Sequence, residues 1–349
     1  MADPEVATKA PENDAQETRE TQETGSAPVS SGSSAPAPAP TPAPVPSKPR
    51  MSDHCTSDRP TPTGQSSTGE VTKLNDVDVY ISKPADYPHA PSRLLLLLSN
   101  GTGLHSVNNQ IQADRFASEG YVVVMPDLFG GDAAPNSTTA AAMAAESSAE
   151  PSFLDMFKIK AVEAAKSFMI DMWLARHTEE KVLPILHRVL GACRDEFADA
   201  ISHGGGVYAV GYCFGGRYVL LLAGERPGPG PGQGRGQGRG ADEEANRPKT
   251  VGPYIKTGAL AHATLVSKED FVGLAAPVSV VCVENDPMFP DEVREAGEDY
   301  MSKNGVEHEV SVYPGVPHGF AVVGEYDDPD ITTAQATAFD QMLKWINEH

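Results

Sequence analysis

The sequence predicts an α/β fold: an open, mostly parallel central sheet with helices on both faces. Two observations carry that prediction. From about Val71 to the C-terminus, short apolar runs of strand length alternate with longer segments of helical period. One run, Arg93–Ser99, contains five consecutive leucines, and a strand apolar at every position is one buried on both faces, as in parallel sheets.

Residues 1–69 precede this pattern. The first fifty are rich in Ala, Pro, Ser, Thr and Glu and end in an Ala-Pro repeat. They lack the apolar content to offset the entropy of ordering, so a disordered tail is expected, then an irregular lead-in to residue 69. The domain itself is expected to run from residue 70 to residue 349. Asp76–Ser82 alternates apolar and polar side chains and predicts a half-exposed edge strand. Arg93–Ser99 is the central strand, and Asn100–Gly103 is a loop. A helix through Ile111, Ala113, Phe116 and Ala117 stops at Gly120, before a buried strand over Tyr121–Met125.

Leu128–Glu150 reads as a connection. Phe157, Ala161, Ala165, Phe168 and Met172 mark one face of a helix over Phe153–Leu174, with Trp173 and the methionines around it assigned to the core. Leu186, Val189, Leu190, Cys193 and Phe197 repeat the spacing in a second helix, whose start Pro184 obscures. Val207–Val210 is a strand, and Arg217–Ala223 opens a helix. Residues 224–248 are a Gly-rich insertion; its two Arg-Gly repeats adjoin an acidic run and read as a solvated loop. Strands then follow over Thr257–Val266, Val278–Val283 and His308–Tyr313, with helices over Asp291–Lys303 and Thr332–Asn347.

Composition narrows the function. A net charge of −21 argues against nucleic acid and anionic membrane surfaces as partners. The longest aliphatic run, Leu94–Leu98, is far too short to span a bilayer. The chain opens with no apolar segment of a secretory leader, so a cytosolic, reduced setting is expected. Four cysteines (Cys55, Cys193, Cys213, Cys282) have neither metal-site nor disulfide-framework spacing, and the adjacent His54 adds too little to predict a metal. The sequence is compatible with a monomer or a homodimer.

The chemistry centres on Val207–Tyr218. Gly211-Tyr212-Cys213-Phe214-Gly215 joins the strand to the helix and is the thiol version of the Gly-x-Ser-x-Gly nucleophile elbow. A nucleophile on so tight a turn needs strained backbone angles and flanking residues with almost no side chain. It would also sit at a helix N-terminus, where the dipole favours thiolate. By itself the pentapeptide fits either a catalytic thiol or a buried cysteine at a glycine-rich junction.

Two partners decide in favour of catalysis. Active residues of open α/β sheets gather at the carboxyl ends of strands. Asp286 follows Val278–Val283, and His318 follows His308–Tyr313. The order Cys213, Asp286, His318 is that of α/β-hydrolases. His318 would take the thiol proton, Asp286 would hold the imidazole, and Cys213 would carry the acyl group. The N–H groups of Phe214 and of Gly101, in the Asn100–Thr102 loop, are the candidate oxyanion hole. Asn100, His105, Arg217, His262 and Phe320 are candidates for lining the pocket.

The runs L-L-L-S-N-G-T-G, A-D-R-F-A-S-E-G-Y, M-P-D-L-F-G-G-D, G-Y-C-F-G-G-R-Y, E-N-D-P and P-G-V-P-H-G-F-A together resemble the dienelactone hydrolase family of α/β-hydrolases. The resemblance covers the chain from about Val71 onward, apart from the Gly-rich insertion. It implies hydrolysis of a small-molecule lactone or ester by a Cys–His–Asp triad, Cys213, His318 and Asp286, without metal or organic cofactor. Two departures stand out. Bacterial members carry a glutamate at the position of Asn100 that helps generate the thiolate, and an arginine shortly after the histidine that grips a substrate carboxylate; Val322 and Val323 occupy that stretch here. The expectation is therefore a cysteine-nucleophile ester or lactone hydrolase. Its rivals are a thioesterase or general carboxylesterase, differing in the leaving group, and a catalytically silent relative kept as a binding protein.

Overall fold

Eight strands form one sheet in the order β1-β2-β4-β3-β5-β8-β9-β10. They are β1 (Glu70–Leu74), β2 (Val77–Ser82), β3 (Arg93–Leu98), β4 (Tyr121–Pro126), β5 (Val207–Tyr212), β8 (Thr257–Ala261), β9 (Val278–Val283) and β10 (His308–Tyr313). The pairs β1/β2 and β2/β4 are antiparallel and all others parallel. Among the described residues the helices include α1 (Val107–Ser118), α2 (Glu179–Glu196), α3 (Ala198–Gly204), α4 (Phe214–Ala223), α5 (Asp291–Asn304) and α6 (Pro329–Glu348). The structure, a computed structural model, describes residues 56–135, 165, 168–227 and 250–349. The expected tail up to residue 55, with Cys55 and His54, lies outside the described residues, as do residues 136–164 and most of the Gly-rich insertion.

The leucine run behaves as its composition requires. In β3, between β4 and β5, Leu94, Leu96 and Leu98 join the core layer beneath α2 and α4, while Leu95 and Leu97 join the layer beneath α1 and α6. Each such side chain contributes about 1.5–3 kcal/mol by leaving water. Both cores therefore meet at the strand that feeds the loop beside the elbow.

Several expectations are corrected. Asp76–Ser82 predicts an edge strand, but β2 is second in the sheet, covered by β1, whose first four residues are the exposed ones. Nor is it half-exposed: apart from Asp78 every residue of β2 is buried, Tyr80 included, so the alternation of residue types marks no wet face. In the described part of the helix expected over Phe153–Leu174, residues 168–176, the spacing holds but the phase differs. Ile170, Trp173 and Leu174 pack inward, whereas Phe168, Met169 and Met172 are exposed. Trp173 sets that phase: its ring packs on Phe129 and Phe214, and its indole N–H donates to the Asp132 carbonyl at 2.6 Å. Pro184 lies inside α2, which begins at Glu179. β8 ends at Ala261, so His262–Val266 is loop.

The two-residue strands β6 (Arg226–Pro227) and β7 (Thr250–Val251) pair antiparallel, so the Gly-rich insertion leaves and rejoins the domain at neighbouring points.

Candidate active site

The strand-to-helix turn is the one the sequence describes. β5 ends at Tyr212, α4 begins at Phe214, and Cys213 between them has φ 49° and ψ −113°. A positive φ on a residue with a side chain is strained, and such strain concentrates at functional sites. The glycines allow the close approach. A Cβ at Gly211 would lie 2.6 Å from the Gly215 carbonyl oxygen and 2.7 Å from Val219, and one at Gly215 would collide with the Leu98 carbonyl.

The parallel sheet brings the other two strand-end residues alongside. Asp286 follows β9 and His318 follows β10, and His318 Nδ1 is 2.6 Å from Asp286 Oδ2. The other carboxylate oxygen, Oδ1, accepts from the Met288 N–H at 2.9 Å, which fixes the carboxylate plane. Burial works to lower the His318 pKa, but hydrogen bonds to Asp286 and Cys213, with the charges on both, outweigh it and raise the value to about 9. Asp286 and the Cys213 sulfur thus both favour a proton on the ring.

Sequence reasoning missed Thr264. Its Oγ1 lies 3.2 Å from Cys213 Sγ and 3.3 Å from His318 Nε2. The sequence hid it, because the expected strand Thr257–Val266 runs through Thr264, whereas β8 ends at Ala261.

The remaining candidates divide. Asn100 is buried, and its Oδ1 accepts from the Thr102 hydroxyl at 2.7 Å, the Asn109 amide at 2.9 Å and the Thr102 N–H at 3.2 Å, so it organises its own loop. The Gly101 carbonyl in that loop accepts from the Ala134 N–H. Phe214 is the first residue of α4, so its N–H has no intrahelical acceptor. His105 is exposed ahead of α1. Arg217 is committed elsewhere: Nε and Nη2 each donate to Asp270 at 2.9 Å, and Nη2 reaches Glu179 at 3.1 Å. His262 is buried behind His318, ring centroids 5.0 Å apart. Phe320 belongs to the core layer of α1 and α6.

A cleft of about 420 Å³ opens beside the elbow, lined by Phe214, Tyr218, His177, Thr264, Arg217 and Glu180, among others. Among the described residues no cluster of His, Cys, Asp or Glu is placed to hold a metal, and no helix is long and apolar enough to cross a membrane.

The dienelactone hydrolase family model matches residues 77–229 and 251–349 of this chain. Over 281 residues the chain is 29% identical to hydrolase pyvD of Aspergillus violaceofuscus, covering 80% of this chain and 90% of that protein. It is 28% identical over 283 residues to hydrolase tropI of Talaromyces stipitatus, again covering 80% and 90%. Among solved structures, a Klebsiella pneumoniae protein assigned to the dienelactone hydrolases superposes with a TM-score of 0.55 at 17% identity, covering 81% of this chain and 99% of that one.

Proposed function

The chain belongs to the dienelactone hydrolase family and is a hydrolase of ester bonds, and on that premise we propose that it opens a lactone or carboxylic ester through a Cys213–His318–Asp286 triad. The observation that carries this reading is the 2.6 Å contact between His318 and Asp286, with the imidazole hydrogen-bonded in turn to Cys213 at a strained turn.

The steps follow from those positions. The thiol proton passes to His318 Nε2, and Asp286, accepting from Nδ1–H, stabilises the imidazolium. The thiolate attacks the ester carbonyl carbon, and the N–H groups of Phe214 and Gly101 receive the developing oxyanion. Collapse breaks the C–O bond to the leaving group, which takes its proton from Nε2. A water molecule then gives a proton to Nε2 as its oxygen attacks the thioester carbon. The second collapse releases the carboxylic acid and restores the thiol.

The proposed substrate is neutral near the reacting carbon. Arg217, the guanidinium lining the cleft, is held by Asp270 and Glu179, and Val322 and Val323 after His318 are buried. Among the described residues lining the cleft, no uncommitted Lys or Arg is placed to grip a substrate carboxylate. The catalytic domain in this reading spans residues 70–349, and a reduced cytosolic setting suits the free thiols of Cys193, Cys213 and Cys282.

Intact-protein mass spectrometry after brief exposure to a p-nitrophenyl ester tests the mechanism. A decaying acyl adduct on Cys213, absent from Cys213→Ala, is expected. Full hydrolysis by Cys213→Ala would overturn it. Turnover compared across lactones, aryl esters and thioesters then identifies the leaving group.

A further inference from the structure

We propose that the Thr264 hydroxyl is a fourth member of the catalytic group: by hydrogen bonds to Sγ and Nε2 it stabilises the Cys213 thiolate and the imidazolium that forms beside it. This assignment rests on Cys213 being the nucleophile, as proposed above.

The backbone brings Thr264 to the thiol. The Cys213 N–H donates to the Ala261 carbonyl at 3.1 Å, and the Thr264 N–H returns a bond to the Cys213 carbonyl at 3.0 Å. Between them the chain makes a constrained excursion, with positive φ at His262 (37°) and, just beyond Thr264, at Leu265 (62°). Two such non-glycine residues around one threonine are unfavourable locally and persist only where surrounding structure imposes them. The result is a fully buried hydroxyl 3.2 Å from Sγ and 3.3 Å from His318 Nε2.

A hydroxyl has one proton and two lone pairs, which suits both states of the pair. In the neutral state the hydroxyl accepts from S–H. Once the proton has passed from sulfur to Nε2, the hydroxyl donates to the thiolate and offers a lone pair to Nε2–H. Both hydrogen bonds of the ionised state are charge-assisted, so the hydroxyl favours that state.

The experiment is an ultraviolet thiolate titration of the full chain, with Cys213→Ala as background, run beside the pH profile of kcat/KM. Thr264→Val, which keeps shape and loses the hydroxyl, should move the Cys213 midpoint up by about one unit. It should lower kcat/KM about tenfold on the acidic limb. Thr264→Ser should retain the wild-type midpoint, and Thr264→Ala provides the second hydroxyl-free variant if Thr264→Val does not fold. An unshifted midpoint in either hydroxyl-free variant would overturn the proposal. So would Thr264→Ser titrating like Thr264→Val, because the methyl group and not the hydroxyl would then matter. Hydrolysis surviving in Cys213→Ala would instead remove the nucleophile assignment, a separate result.

Discussion

His318 Nδ1 and Asp286 Oδ2 are 2.6 Å apart, with both side chains almost wholly out of water. This pairing makes stability depend on pH in a definite direction. The histidine value rises from 6.5 in the unfolded chain to about 9 in the native one, so the native state binds an additional proton between those values. The stabilisation is complete below pH 6.5 and is lost as pH climbs through about 9. Asp286→Asn removes a main cause of the shift. The difference in urea midpoint between wild type and Asp286→Asn should therefore be widest at mildly acidic pH and narrow steadily across that interval. The same variant should lose roughly 100- to 10,000-fold in kcat, because the imidazole loses its orienting partner.

Gly215 provides a test of the turn itself. Its N–H donates to the Ser99 carbonyl at 3.1 Å, so it is fixed against the end of β3, and an added Cβ would strike the Leu98 carbonyl. Backbone on both sides leaves no flexible group to yield. Gly215→Ala should destabilise by about 1–3 kcal/mol and displace the thiol enough to abolish most activity. Gly191→Ala is the control. It lies inside α2, where a Cβ would meet nothing within 4 Å, and should be neutral to stabilising by about 0.5–1 kcal/mol. Urea midpoints and turnover of the two variants decide the matter.

The contrast between Asp286 and Thr264 shows what a sequence of this kind discloses. β9 and β10 have the limits that Val278–Val283 and His308–Tyr313 imply, because turn residues close both runs, and so Asp286 and His318 were legible as strand-end residues. Thr264 sits in A-L-A-H-A-T-L-V, which continues a strand by pattern alone; only the backbone reversal at His262, φ 37°, ends β8 early and turns the hydroxyl toward the thiol. The phase of residues 168–176 was hidden for another reason. The predicted stripe counts apolar residues equally, whereas the structure follows the single indole of Trp173 and its hydrogen bond to Asp132. Asp270 likewise shows no signal in sequence, since its partner Arg217 is 53 residues away.

Arg217 and Asp270 form a partly buried ion pair at the edge of the cleft. The Asp270 side chain is 4% exposed, and it both accepts the guanidinium and caps the short helical turn Lys268–Phe271 with Ser267. Arg217→Met would leave that carboxylate buried without its main counter-charge, at a cost of about 3–5 kcal/mol. Arg217→Met combined with Asp270→Asn should recover part of the loss, giving a coupling energy in the double-mutant cycle. If Arg217 instead gripped a substrate carboxylate, KM for anionic esters would rise in the variant while KM for neutral esters stayed level. Equal, small changes in both are expected.

The lead-in to the domain should matter for catalysis through the loop that carries His318. The Asn108 side-chain amide donates to the Arg59 carbonyl and accepts from the Thr61 hydroxyl, each at 2.8 Å. The Glu325 N–H donates to the Pro60 carbonyl at 2.9 Å, the Glu325 carboxylate accepts from the Thr63 N–H at 2.8 Å, and the Arg59 guanidinium lies 4.4 Å from the centre of the Tyr326 ring. Residues 59–63 thus tie the segment following His318 to the start of α1. Deleting residues 1–55 keeps all of these contacts together with the buried Thr56, and should leave turnover and stability unchanged. Extending the deletion through residue 65 should cost about 2–4 kcal/mol, at about 0.5–1.5 kcal/mol for each hydrogen bond lost. It should also lower kcat several-fold with a smaller effect on KM, because a loosened His318 loop impairs proton transfer more than substrate binding. Steady-state kinetics and urea unfolding of the two truncations check this. Equal kcat in both would show that the His318 loop holds its geometry without the strap.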